Sequence, residues 1–213
     1  MTLNRWTART CRTGRIFLPG GDNDDEATVR TVLTGLPGPT FRIPPPRHTG
    51  GLILYLDFDG VLHPEGVYYW PGKGPYIANP PGHQLFEHAD LLERVLLSYP
   101  DVRIVLSTSW VPFYRSVAKP ARWLPHNLRS RIIGATFHSR MDKASFDGAP
   151  RGMQVWSDVL RRRPDKWVAL DDDDSGWPPW CRHNLILTHK ICGVAAPDVL
   201  VELKKKLAAM HNA

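Results

Sequence analysis

Over its 213 residues the chain has no apolar run approaching the roughly 18 that cross a bilayer, and its N-terminus lacks the apolar core of a secretory signal. No membrane role is expected. Cysteine is scarce: Cys11, Cys181 and Cys192 are an odd number without paired metal spacing, which excludes a disulfide framework and a zinc knuckle. A reducing cytoplasm is the expected compartment, with the thiols as small unreactive residues. Acidic residues are missing before Asp22, whereas Arg5, Arg9, Arg12 and Arg15 fall in that stretch, giving it the composition, though not the length, of an organelle transit peptide.

What is present fits a folded globule with an appendage. Apolar residues make up 42% of the chain, with eight Trp, so a sizeable core is within reach. Twenty Pro and seventeen Gly imply long loops. The net charge of +6 favours anionic partners, nucleic acid among them; the excess lies at the N-terminus, at Arg161 to Arg163 and at Lys204 to Lys206. These tracts lie on separate segments and carry no nucleic-acid motif, so solvated helix faces and a loose basic arm explain them as well.

Residues 1–48 read as a basic Pro/Gly-rich arm or linker. They contain Gly20-Gly21, Pro37-Gly38-Pro39 and Pro44-Pro45-Pro46, with one short helix expected near Glu26 to Leu33. Residues 49–213 read as the folded domain. There the pattern alternates: strand 52–56, helix 84–98, strand 102–106, an irregular Pro- and Trp-rich stretch, helix 153–163, strands 167–170 and 184–188, and helix 197–210. Such alternation predicts an α/β fold with parallel strands, whose C-terminal ends share one edge where ligands bind.

Three strand ends carry chemistry. Ile53-Leu-Tyr-Leu56 runs into Asp57-Phe58-Asp59-Gly60, where the period of two puts both carboxylates on one side. Two adjacent anions repel unless a cation or a proton lies between them. Val102 to Leu106 leads into Ser107-Thr108-Ser109, and Lys166 to Leu170 leads into Asp171-Asp172-Asp173-Asp174, a clustering whose repulsion something must offset. Lys143 and Arg151 are the cations between them.

This order resembles the haloacid dehalogenase (HAD) superfamily of phosphohydrolases over about residues 52–190. Asp-Phe-Asp-Gly-Val-Leu-His-Pro and Ser-Thr-Ser-Trp are most similar to a small, nearly capless branch found in bacterial and phage proteins, sometimes fused to RNA-repair enzymes. The resemblance implies a Rossmann-like three-layer sandwich with a central, mostly parallel sheet, a minimal cap within residues 65–83, and the Pro/Arg-rich arm outside it.

For chemistry it implies a phosphomonoesterase in which Asp57 attacks phosphorus and Asp59 protonates the leaving oxygen, then deprotonates water. Mg²⁺ is the expected cofactor, because Asp57, the Asp59 carbonyl, Asp171 and then Asp172 offer hard oxygen ligands. Thr108, with Ser107 as rival, would grip the phosphoryl group alongside Gly60 and Ser109. Arg151, with Lys143 as rival, would bridge nucleophile and phosphate. His63 reads as a packed or solvent-facing residue rather than an extra acid, and Trp110 as packing beneath the site. The substrate would be a nucleotide, a polynucleotide end or another phosphorylated metabolite. The alternative is a non-catalytic phosphate- or nucleic-acid-binding module. Oligomeric state is left open.

Overall fold

Leu52 to Leu56 is apolar at every position, as a strand covered on both faces must be. The computed structural model, which describes residues 4–5 and 45–211, makes it the central strand of the sheet. In chain order the elements are β1 (Asn4–Arg5), β2 (Leu52–Leu56), β3 (Val67–Trp70), β4 (Gly74–Ile77), α1 (Ala89–Leu96), β5 (Val102–Leu106) and α2 (Trp110–Tyr114). There follow α3 (Ala118–Ala121), α4 (His126–Ser130), β6 (Ile132–Ala135), α5 (Lys143–Gly148), α6 (Arg151–Arg162) and β7 (Lys166–Asp171). A 3₁₀ turn (Pro179–Asn184), β8 (Leu185–Leu187) and α7 (Pro197–His211) complete the described chain.

The main sheet has five strands in the order β6-β5-β2-β7-β8, and every pairing is parallel. Alternate residues of β2 feed two cores. Leu54 and Leu56 join Leu92 and Leu96 of α1 and Val199, Leu203 and Leu207 of α7, whose spacing of four places them on one helix face. Ile53 and Tyr55 join Val155 and Val159 of α6, with Trp177 and Cys181. The result is helix, sheet and helix in three layers. Burial pushes the Cys181 thiol up to about 11, in keeping with an unreactive residue.

Register brings the catalytic-looking ends abreast. Leu56 is opposite Leu106 on one side and Leu170 on the other, and the ladder continues as Ser107 N–H donates to Leu56 O (2.8 Å) and Asp57 N–H to Leu170 O (3.1 Å). Asp57, Ser107 and Asp171 therefore stand side by side where the strand order changes direction about β2.

Several expectations are amended. The helix predicted over 84–98 spans only Ala89–Leu96, because Phe86 has φ 61° and cannot lie in a right-handed helix. The helix predicted from 153 starts at Arg151, directly after Pro150, and stops where Arg163 turns left-handed at φ 50°. Ile132–Ala135, read as irregular, is an edge strand of the main sheet. Residues 67–77 form an antiparallel hairpin, β3 and β4, edged by β1. Of the expected arm, residues 45–48 are also described; the remainder, including its short helix, lies outside the described residues. Among the described residues no helix is long and apolar enough to cross a membrane.

A buried charged cluster ties the start of the domain to α6. Asp158, fully buried, accepts from Tyr55 Oη (3.1 Å), Arg162 Nε (2.9 Å) and Arg161 Nη2 (2.5 Å), while Arg162 Nη1 donates to His48 O (2.9 Å).

Candidate active site

The chain leaves β2 at Asp57 and turns at once. Leu62 N–H closes on Phe58 O (2.8 Å), and Gly60 takes φ 69°. Gly60 is required here on two counts. Its φ disfavours a side chain, and a Cβ would lie 2.5 Å from the Asp172 carboxyl. Thr188 Oγ1, from just after β8, holds the Gly60 carbonyl (2.7 Å).

Asp57 is buried. Its Oδ1 accepts the Phe58 N–H at 2.7 Å, Thr108 hydrogen-bonds to its side chain, and Oδ2 meets Arg151 Nη2 at 3.1 Å. From the first residue of α6 Arg151 reaches Asp57, the Ser107 carbonyl through Nη1 (2.8 Å), and Asp171, whose Oδ2 lies 3.3 Å from Nε, besides Gln154 Oε1 on its own helix (3.3 Å). A planar fork suits this work better than an ammonium. Burial disfavours the guanidinium charge, but Asp57 and Asp171 outweigh it and raise the Arg151 pKa. Lys143 is not brought to this group; it stands half-buried at the start of α5, paired with Asp147.

Oxygens of Asp57, Asp171 and Asp172 lie within 4.8 Å of one another. Burial pushes Asp57 up to about 6, against the pull of Arg151 and with the push of Asp59. Burial, with Asp57 and Glu65 nearby, pushes Asp172 up to about 7, and burial holds Asp171 well above the ordinary carboxylate range. Asp171 Oδ2 is buried without a hydrogen-bond partner. Three crowded carboxylates facing one guanidinium, with an oxygen that has the Arg151 charge beside it but accepts no hydrogen bond, fit a hard divalent cation, which would supply further positive charge. The other two acids of the run are turn residues: Asp173 Oδ1 accepts from Ser175 N–H (2.8 Å), and Asp174 pairs with Arg182 at the surface (3.1 Å).

Asp59 stands apart from that trio. Its carboxyl contacts His63 Nε2 (3.0 Å), Trp110 Nε1 (3.1 Å to each oxygen) and Ser109 Oγ (3.5 Å). Ser109 thus faces Asp59, Thr108 faces Asp57, and the Ser107 hydroxyl is buried without a hydrogen-bond partner. Sequence reasoning missed the His63 and Trp110 contacts, since nothing periodic or compositional marks them. It also passed over Gly152, whose missing side chain lets α6 abut the loop after β7.

Residues 53–199 match the family described as the HAD domain in Swiss Army Knife RNA repair proteins. The chain belongs to this family. No curated protein and no solved structure matches it. The matched span of the HAD domain runs from β2 to the first turn of α7, so the aspartate trio, Asp59, the hydroxyl run and Arg151 all fall inside it. It is a HAD-fold hydrolase domain with a buried aspartate cluster suited to a catalytic or metal site.

Proposed function

We propose that this HAD domain is a Mg²⁺-dependent phosphomonoesterase working through an aspartyl-phosphate on Asp57. The observation that carries the reading is the division of labour between two carboxyls two residues apart. Asp57 is grouped with Asp171, Asp172 and Arg151, whereas the Asp59 carboxyl is held by His63, Trp110 and Ser109. Such separation of environments lets one carboxyl act as nucleophile and the other as acid and base.

Asp57, Asp171, Asp172 and the Asp59 carbonyl would hold the cation, which supplies positive charge against the phosphoryl oxygens. Arg151 keeps Asp57 oriented and adds a second cation beside it. Thr108, beside Asp57, would hold a phosphoryl oxygen. In the first step an Asp57 oxygen bonds to phosphorus as the ester P–O bond breaks, and Asp59 gives its proton to the departing oxygen. In the second, Asp59 takes a proton from water as that water attacks phosphorus, releasing inorganic phosphate and restoring both carboxyls.

A β-hairpin of eleven residues, from Val67 to Ile77, is too small to form an enclosing cap domain, which favours large substrates. Together with the RNA-repair context of the family, this supports a polynucleotide end or nucleotide as substrate. The test is Mg²⁺-dependent release of phosphate from 4-nitrophenyl phosphate and from 3′- and 5′-phosphorylated oligonucleotides. Asp57→Asn should lower the rate by more than about tenfold, since an amide is a far weaker nucleophile. Tight oligonucleotide binding without turnover by the wild type would favour the binding-module alternative.

A further inference from the structure

The Asp59 carboxyl is gripped from two segments. His63 returns to it through the turn at Gly60, while Ser109 ends the loop that leaves β5 and Trp110 is the first residue of α2. The His63 ring is fully buried, and its second nitrogen, Nδ1, lies 3.2 Å from the Phe86 backbone nitrogen. A backbone N–H can only donate. Nδ1 is therefore the acceptor, and the single ring proton sits on Nε2, facing Asp59.

Phe86 presents that N–H from a left-handed backbone with φ 61°, a conformation that disfavours a residue with a Cβ and persists only where surroundings hold it. Here they do. Its ring lies among Phe58 (5.1 Å), His63 (4.8 Å), Trp110 (5.4 Å) and Trp123 (6.0 Å between centroids).

The two carboxyl oxygens are not equivalent. Oδ1 receives both ring N–H groups, His63 at 3.0 Å and Trp110 at 3.1 Å; Oδ2 receives Trp110 at 3.1 Å and the longer contact from Ser109 Oγ at 3.5 Å. Ring N–H groups donate only, whereas a hydroxyl rotates to accept. The one Trp110 N–H is shared between the two oxygens, so it is His63, able only to donate, that marks Oδ1 as the acceptor and leaves Oδ2, beside the Ser109 hydroxyl, as the oxygen able to carry a proton.

We propose that His63 and Trp110 are positioning residues that orient Asp59 so that Oδ2 holds the transferable proton, with Phe86 fixing His63 as the Nε2–H tautomer. The inference rests on the reading of Asp59 as acid and base. Uncharged donors suit that task, since they fix the carboxyl without setting a full positive charge beside it.

The test compares kcat/KM for two esters with Mg²⁺, because this constant reports the step that expels the leaving group. One is 4-nitrophenyl phosphate, whose leaving group departs without help; the other is a simple alkyl phosphate, whose leaving oxygen needs a proton. Trp110→Phe keeps the ring and deletes the donor. It should lower kcat/KM for the alkyl ester by roughly tenfold or more relative to the aryl ester. His63→Leu should do the same, and His63→Gln, which retains a donor amide, should recover part of the loss. Equal losses on both esters, or none, would reduce the two residues to packing and overturn the proposal.

Asp59→Asn separates this outcome from failure of the reading beneath it. If Asp59→Asn itself shows no leaving-group dependence, or the wild type cleaves neither ester, the acid role of Asp59 is wrong and the positioning role falls with it. The tautomer is checked without turnover, by ¹⁵N NMR of the histidine rings in the full-length wild type at the assay pH. A proton on Nε2 and none on Nδ1 is expected for His63; a proton on Nδ1 would overturn the assignment whatever the kinetics.

Discussion

Gly152 stands so close to Trp177 that a Cβ on the glycine would lie 2.4 Å from the Trp177 Cα. The second residue of α6 is thereby docked on the backbone of the loop that follows the four aspartates, and Gly152 N–H donates to Ser175 O at 3.0 Å. Arg151, one residue earlier, is carried between Asp57 and Asp171 by that contact.

Substitution at Gly152 should therefore act on the site from outside it. Gly152→Val forces helix and loop apart, at an overpacking cost of about 1–3 kcal/mol. A melting temperature lowered by roughly 2–12 °C in a circular dichroism melt is expected. The fall in phosphatase kcat/KM should exceed about tenfold, because small misplacements of a positioning group are costly in rate. An unchanged rate would show that Arg151 does not depend on this docking.

The aspartate trio makes stability depend on pH in a direction opposite to that of a salt-bridged carboxylate. Burial raises Asp57 to about 6 and Asp172 to about 7 in the folded chain, above the values they take when unfolded. Between the unfolded and folded values the native state binds more protons, so their contribution to stability declines as pH rises and is fully unfavourable above about 7. A divalent cation binds the ionised carboxylates and removes that penalty. Mg²⁺ should raise the melting temperature more at pH 8 than at pH 6, read by differential scanning fluorimetry with a chelator control. An equal shift at both values would count against these three residues as ligands.

The Asp158 cluster predicts a stability defect that spares chemistry. Asp158→Ala leaves Arg162, itself buried, without its carboxylate, and breaking such a pair costs about 3–5 kcal/mol. The melting temperature should fall by roughly 6–20 °C. Well below the transition, kcat should stay near wild type, because no atom of the cluster touches Asp57, Asp59 or Arg151 in the hydrogen bonds described above. A variant as stable as wild type would mean that the network contributes little.

How far the sequence could be read depended on whether local pattern or tertiary contact determined the outcome. β2, β5 and β7 were legible because each is an apolar run that breaks off in side chains able to bind an anion or a cation. β6 was not. Ile132–Ala135 has a glycine within four residues and pairs with β5 through a register shift, so it carries neither alternation nor length. The overlong first helix followed from an apolar pattern that continues through Phe86, where contacts with His63 and the aromatic cluster override it. The Asp59 pocket had no signal at all. The Trp110 indole and the His63 imidazole meet Asp59 only because the turn at Gly60 and the loop after β5 fold toward each other.

The same reasoning bears on the two candidate cations, which composition could not rank because each is a basic residue upstream of the acidic run. Arg151 reaches Asp57, Asp171 and the Ser107 carbonyl at 3.1, 3.3 and 2.8 Å, whereas Lys143 is half-buried with Asp147 as its partner. Arg151→Ala should remove the charge facing Asp57, the proposed nucleophile, and lower kcat/KM for 4-nitrophenyl phosphate by about 100-fold or more. Arg151→Lys should recover only a fraction of that, since a single ammonium cannot serve three acceptors in one plane. Lys143→Ala should stay within about twofold, as an i,i+4 helix pair contributes about 0.3–0.5 kcal/mol and touches no part of the cluster. Should Lys143→Ala prove the more damaging, α5 would have to swing toward Asp57 when substrate binds, and a structure with a phosphate analogue such as vanadate would show Lys143 at the anion.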